Sequence, residues 1–176
     1  MPTTTEELIR WGDRMGAPRV VIPSGTFDEA FEATYADGTD RIAYKQVSIH
    51  SAESVNDWWE ERRYENPPYK PGMMVSEITL AEDTQFVRVY DGEVSDMYGG
   101  WVMLEEDIIG LTAEQIRDKY ALPATPKYIV DVILPEGTTI RGGIANGVPG
   151  LGQGDGLRFD MMGQQIGEFI NPRSID

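Results

Sequence analysis

The sequence predicts an α+β fold, with N-terminal helices followed by a compact, mostly antiparallel β-rich domain. Three observations carry this prediction. Helix-type apolar spacing concentrates before residue 65. The run Asn66-Pro67-Pro68-Tyr69-Lys70-Pro71-Gly72 must be extended or turned, because each proline restricts its predecessor. Beyond it, apolar residues alternate with the period of strands. The chain therefore divides into a helical or mixed part, residues 1–65, and a β-rich part, residues 66–176, that would carry a catalytic site. Both parts fit within one compact unit.

The elements follow in order. Thr4-x-x-Glu7 is a capping-box pattern that opens a short helix through Leu8, Ile9 and Trp11, ended by Gly16 and Pro18. Val20 to Pro23 reads as a short strand. Ser24 to Ala36 reads as a helix with Phe27, Ala30, Phe31 and Tyr35 on one side, and Asp37-Gly38 as a turn. Ile42 to Val47 is a strand candidate, and Glu53 to Arg63 a helix carrying Val55, Trp58 and Trp59. Past the proline run, Met74, Ser76 and Ile78 alternate with Val75, Glu77 and Thr79; Phe86, Arg88 and Tyr90 alternate with Val87 and Val89. Thr112-x-x-Gln115 is a second capping box, starting a helix over Glu114 to Lys119. The remaining strand candidates are Tyr128–Ile133, Thr138–Arg141, Leu157–Met162 and Ile166–Phe169.

Composition narrows the function. The chain has 176 residues, enough for one domain with a real core. Fifteen Lys+Arg against thirty Asp+Glu give a formal charge of -15. Non-specific nucleic-acid binding draws on basic side chains that displace counterions, so this balance argues against a nucleic-acid partner. Cysteine is absent, which excludes disulfides, a thiolate nucleophile and zinc-thiolate sites. No apolar run is long enough to span a bilayer, and no secretory pattern opens the sequence. No membrane partner is expected, and the expected location is cytoplasmic, in the cell that makes the chain or in a target cell after delivery.

Several residues could carry chemistry. Arg88 sits among strand formers with Phe86 and Tyr90 on its face, where a guanidinium can fork onto a diphosphate and the aromatics can flank a base or sugar. The plain alternative is an edge-strand arginine reaching solvent. Trp101 follows Gly99 and Gly100, so its indole could stack on a planar ring at a cleft mouth, although core packing is the commoner fate of tryptophan. The segment from Gly142 to Gly167 holds nine glycines, among them Gly152, Gly154 and Gly156 around Gln153. Backbone amides in such a run can form an anion nest, or the run can be a flexible hairpin loop. It matches neither a P-loop nor a Rossmann fingerprint. His50 is the single histidine, which excludes paired-histidine chemistry and suggests a structural or surface role. The acidic runs Asp57-Trp58-Trp59-Glu60-Glu61 and Glu105-Glu106-Asp107 read as solvated faces, and no metal is expected.

Taken in order, Arg88-Val89-Tyr90, Gly100-Trp101, Tyr120-Ala121-Leu122-Pro123, Ile133-Leu134-Pro135 and Gly152-Gln153-Gly154-Asp155-Gly156 resemble the NAD-hydrolysing domain of the tuberculosis necrotizing toxin family. That family belongs with the ADP-ribosyltransferase-like domains at the C-termini of bacterial polymorphic toxins. The resemblance runs from about Arg88 to Asp160. It implies cleavage of NAD at the nicotinamide–ribose bond, with NAD as substrate, no cofactor, and a cognate immunity protein as partner. On that resemblance Arg88, Arg158, Asp160 and Gln164 are the catalytic candidates. Tyr90, Trp101, Arg117, Tyr120, Gln153, Gly154 and Gly156 are the binding candidates.

One position departs from the family: Arg158 stands where the family carries a glutamine. An arginine has no acceptor to offer a ribose hydroxyl, but it can grip a phosphate. Asp160 or Gln164 then takes the acceptor role, or the substrate differs, or this copy is inactive. Two other readings stay open. One is an RNA-cleaving toxin domain. The other is a catalytically lapsed binding module, with Trp58, Trp59 and Tyr69 as a partner surface or as core.

Overall fold

A computed structural model describes residues 33–35 and 37–175. The helix expected at Thr4, the strand at Val20–Pro23 and most of the helix at Ser24–Ala36 lie outside the described residues. Residues 33–35 and 37 are helical.

The architecture is α+β: among the described residues there are few helices, and eight strands form two antiparallel sheets. Strand β1 (Tyr44–Ser51) runs directly into helix α1 (Ala52–Glu61). Ser51 ends the strand and caps the helix, its hydroxyl accepting from the Ser54 amide at 3.1 Å. In β1, Tyr44 and Val47 are both buried although their spacing breaks strict alternation. A register shift between Tyr44 and Gln46 supplies the extra residue, as in a β-bulge. Helix α1 buries Ala52 and Val55 against Tyr69 and Val75.

Strands β2 (Met74–Leu80) and β3 (Thr84–Tyr90) follow. The two-residue β4 (Trp101–Val102) comes next, then α2 (Ala113–Tyr120). The Thr112/Gln115 capping box forms as the sequence predicts, with both reciprocal bonds present. The remaining strands are β5 (Tyr128–Leu134), β6 (Thr139–Ile144), β7 (Leu157–Asp160) and β8 (Glu168–Ser174). One sheet has the order β1-β2-β6-β7-β4 and the other β3-β5-β8. A single antiparallel bridge between Val87 and Met103, just past β4, ties the two together.

Strand β3 is buried on both faces. Phe86 and Tyr90 join the inter-sheet core with Val130, Ile140 and Phe159, and the Phe86 and Phe159 rings lie 5.1 Å apart. Val87 and Val89 face a second cluster with Ile116 and Tyr120 of α2. Arg88 therefore emerges on the Phe86/Tyr90 face from a fixed backbone.

The structure differs from the sequence expectation in the bounds of β1 and β6, which end later than expected, in β7, which ends earlier at Asp160, and in two further strands. β4 is too short to show a period. β8 begins two residues later than expected and continues through Pro172. The proline is tolerated because β8 pairs with β5 alone among the described residues, and Asn171 (φ 55°) and Pro172 sit in an irregular stretch of the pairing. The Asn66–Gly72 run is a loop, as expected. It joins α1 to β2, and β1 and β2 are neighbours in one sheet, so the sheet is continuous across residue 65.

Candidate functional site

The site begins with how Arg88 is held. Its Nε donates to the Asp96 carbonyl at 3.1 Å and its Nη1 to the Trp101 carbonyl at 3.1 Å. The guanidinium thus staples the 91–101 loop to β3. Gly99 makes this possible: a Cβ there would lie 2.3 Å from the guanidinium. Asp91 opens the same loop, its carboxylate accepting from the Val94 and Ser95 amides, which hold it at about 2, below its ordinary value.

Trp101 pairs with Asp160 of β7 in register. Its indole is enclosed by aromatic rings, with centroids at 5.2 Å (Trp59), 5.8 Å (Tyr64) and 5.9 Å (Tyr69). The Arg158 guanidinium lies over the indole at 3.8 Å, a cation–π contact. A stacking place on that face is therefore already taken by Arg158. Arg158 also donates from Nη1 to the Tyr120 carbonyl at 3.3 Å. Burial lowers the pKa of both Arg88 and Arg158 from the usual arginine value, yet a guanidinium keeps its charge. Two cations with few compensating anions thus face the same space.

That space is a cleft with two arms. The first, about 340 Å³, is lined by Arg88, Tyr90, Asp96, Trp101 and Arg158 among others. The second, about 360 Å³, runs between the Arg63–Pro68 loop and Leu151. Tyr64, Leu122, Pro123 and Arg158 line both. Each arm falls within the volume typical of small-molecule sites. Tyr64 follows Arg63, whose φ is 64°, and its ring rests on Trp59 and Trp101. Burial raises the Tyr64 phenol above its ordinary pKa, while the charges of Arg158 and Arg88 oppose the rise.

Arg88, Tyr90, Trp101 and Arg158 thus meet at one cleft, and the other candidates lie elsewhere. Asp160 is fully buried beneath it. Its carboxylate accepts from the Tyr69 hydroxyl at 2.5 Å and from the Met162 amide at 2.9 Å, and burial raises its pKa. Asp160 can shape the field under Arg158 but does not line either arm. Gln164 lines a separate cleft. Arg117 caps the end of α2 by donating to the Leu122 and Pro123 carbonyls at 3.1 and 3.4 Å. The Tyr120 side chain is buried, and its hydroxyl has no hydrogen-bond partner among the described residues.

The glycine run is not an open nest. The Gln153 amide donates to the Asp118 carboxylate at 3.1 Å, the Gly154 amide to the Asp118 carbonyl at 2.9 Å, and the Gly156 amide to the Lys119 carbonyl at 3.1 Å. A Cβ on Gly152 would lie 2.6 Å from the Asp118 carbonyl oxygen. These glycines let the chain lie against the last turn of α2, so the amides an anion would need are already spent there.

Two residues of the cleft were not legible in the sequence. Tyr64 precedes the proline run without a motif of its own. Asp96, an acid within the first arm, looks like an ordinary loop residue. Tyr69 is core, and Trp59 of α1 packs on Trp101 and Tyr64, so neither offers a free partner surface. Trp58 is sandwiched between Arg62 at 3.5 Å and Arg141 at 4.4 Å. His50 sits on β1 with Nε2 3.2 Å from the Ser48 hydroxyl. In the acidic turn, Asp107 pairs with Arg41 at 2.9 Å and Glu105 with Arg173 at 3.0 Å.

No family profile and no curated protein matches the chain. Two solved structures share its fold. One is Tne2, solved in complex with Tni2, with a TM-score of 0.51 at 14% identity over 61% of this chain and 97% of that one. The other is Rhs1-CT, solved in complex with its cognate immunity protein RhsI1. It has a TM-score of 0.53 at 18% identity over 72% of this chain and 96% of that one. The likeness is one of fold, and it spans nearly the whole of both neighbours.

Proposed function

We propose that this chain is a polymorphic-toxin effector domain that binds NAD and breaks its nicotinamide–ribose bond, and that a cognate immunity protein restrains it. The observation that carries the reading is the pair of desolvated arginines, Arg88 and Arg158, at a cleft whose two arms share Arg158 and Tyr64. A dinucleotide has two planar ends joined by a dianionic diphosphate. Two guanidiniums in the first arm suit the diphosphate, and the nicotinamide end enters that arm beside Asp96. The fold shared with Rhs1-CT, which is solved with its cognate immunity protein, supports the toxin part of the reading. The cytoplasm of a target cell, where NAD is abundant, is the proposed place of action.

The chemistry needs no metal and no protein nucleophile. The C–N bond breaks, its electron pair leaves with nicotinamide, and positive charge builds on the ribose, as in glycoside cleavage. Water or a protein group then adds to that carbon. Asp96 lies within the first arm and can face the developing cation, with Arg88 anchoring the loop that carries it. Arg158 holds the phosphate rather than a ribose hydroxyl.

The test is nicotinamide release from NAD followed by NMR, comparing the native chain with folded Arg158→Ala and Asp96→Asn variants. Release by the native chain that is lost in Arg158→Ala and falls at least ~100-fold in Asp96→Asn supports the reading. No release by the native chain, or full release by folded Arg158→Ala, would overturn it.

A further inference from the structure

A third cleft, of about 530 Å³, adjoins Arg88 through Gly99 and has no part in the proposed cleavage so far. Tyr98, Gly99, Gly100, Gln164, Gly167 and Phe169 are among its walls. Tyr98 lines this cleft and the Arg88 arm alike. Gly99, another wall residue, is the one against which the Arg88 guanidinium rests. The cleft therefore starts where the proposed diphosphate anchor ends.

Its lining has a specific chemistry. Gly163 (φ 77°) has nothing within 4 Å of where a Cβ would stand, so the wall is left open there. Tyr98 is 69% exposed, and its ring meets Phe169 edge-on at 5.1 Å and 62°. At that exposure most of the Tyr98 ring surface remains available to stack. Gln164 is oriented by its neighbours: Nε2 donates to the Thr139 carbonyl at 2.8 Å and to the Met161 carbonyl at 2.9 Å. Carbonyls only accept, so the amide nitrogen must face them, and both of its hydrogens are used. What Gln164 has left to offer is an oxygen acceptor of fixed orientation. Among the described residues, no charged side chain lines the cleft.

We infer that this cleft binds the adenine end of the dinucleotide. This rests on the NAD reading above and assigns one end of the same ligand. Adenine is flat, neutral and carries an exocyclic amine, which matches a free tyrosine face, an uncharged lining and an acceptor-only amide. The nicotinamide end fits less well, because its cationic ring and the charge that builds on its ribose call for an acid. The acid lies in the other arm, at Asp96. Gln164 then acts in base recognition, well apart from bond breaking.

The test is an NMR titration with AMP and, separately, with nicotinamide mononucleotide, on the native chain and on Gln164→Leu and Tyr98→Ala. Both substituted side chains are exposed, so the fold should persist. AMP should perturb the amides of Gly99, Gly100, Gly163 and Gly167, and its Kd should rise about tenfold in each variant, the worth of one hydrogen bond or stacking contact. Nicotinamide mononucleotide should bind Gln164→Leu as it binds the native chain. AMP binding unchanged in Gln164→Leu, or AMP shifts confined to the Arg88 arm, would overturn the assignment even if NAD is cleaved. The expected AMP pattern in a chain that does not cleave NAD would support the purine site while removing the cleavage reading.

Discussion

The two arginines of the cleft are held in opposite ways. Arg88, on β3, spends two of its nitrogens on backbone carbonyls and fits against a glycine that leaves room for nothing else. Arg158, on β7, rests on an indole face and makes one longer bond to the Tyr120 carbonyl. The first is a staple whose charge is fixed in place by the loop it holds. The second is a recognition group that keeps most of its donors free. A site can thus hold one arginine rigidly and leave another adaptable around the same ligand, and local hydrogen bonds tell the two apart.

The comparison is broken most severely at Arg88. Arg88→Ala frees the 91–101 loop and strands two carbonyls, so it should cost about 2–4 kcal/mol in urea unfolding and abolish activity with it. Gly99→Ala attacks the same staple without touching the arginine. Its Cβ would sit 2.3 Å from the guanidinium, so a loss of about 1–3 kcal/mol is expected. At Gly100 the nearest atom is 4.0 Å from such a Cβ, and Gly100→Ala should stay within about 0.5 kcal/mol of the native chain. Equal costs for the two glycines would refute the staple.

Arg158→Ala should change stability by no more than about 1 kcal/mol, because a cation–π contact is lost together with an incompletely paired buried charge. Its effect belongs in activity alone. Thermal unfolding and nicotinamide release measured on the same sample separate the two arginines. If Arg158→Ala proves as destabilising as Arg88→Ala, the distinction fails.

A smaller effect sharpens the β7 side. Burial raises the Asp160 carboxyl above its ordinary value of 3.8. Between the unfolded value and the raised folded one, the folded state holds the proton more tightly, so this contribution to stability falls as pH rises through that window. Asp37, pushed up to about 6 by burial, has the same sign. The measurement is therefore a difference: Asp160→Asn should show a shallower loss of Tm between acid and neutral pH than the native chain. Parallel pH profiles would mean that Asp160 titrates as it does in the unfolded chain.

The sequence made the framework legible where one local rule decides the outcome. The Thr112/Gln115 capping box needs only its own turn, and Phe86–Tyr90 reads as a strand because β-branched and aromatic residues fill both of its buried faces. Arg88, Tyr90, Trp101 and Arg158 are drawn together because they lie on β3, β4 and β7. What stayed hidden depends on distant partners. The glycines around Gln153 look like a phosphate cradle until their amides are traced to Asp118 and Lys119, more than a turn of chain away. Tyr64 reaches the cleft because its amide donates to the Trp59 carbonyl at 3.0 Å and Asn56 holds the following loop, bonding both the amide and the carbonyl of Tyr69 at 3.0 and 2.8 Å. Asp160 shares a strand with Arg158, yet the Tyr69 hydroxyl draws it under the surface.

Trp101 has a consequence for how the two arginines communicate. Its carbonyl receives Arg88 and its indole carries Arg158, within a strand of two residues that also pairs with β7. One amino acid is therefore the common terminal of both cations. Any displacement of its backbone is transmitted to the staple, and any rotation of its ring to the recognition group. The free energies of ligand binding at the two arginines are then linked variables, and a double-mutant cycle between them should not close to zero while Trp101 is present. In Trp101→Leu, which keeps the carbonyl and removes the indole, that coupling should vanish although both arginines remain.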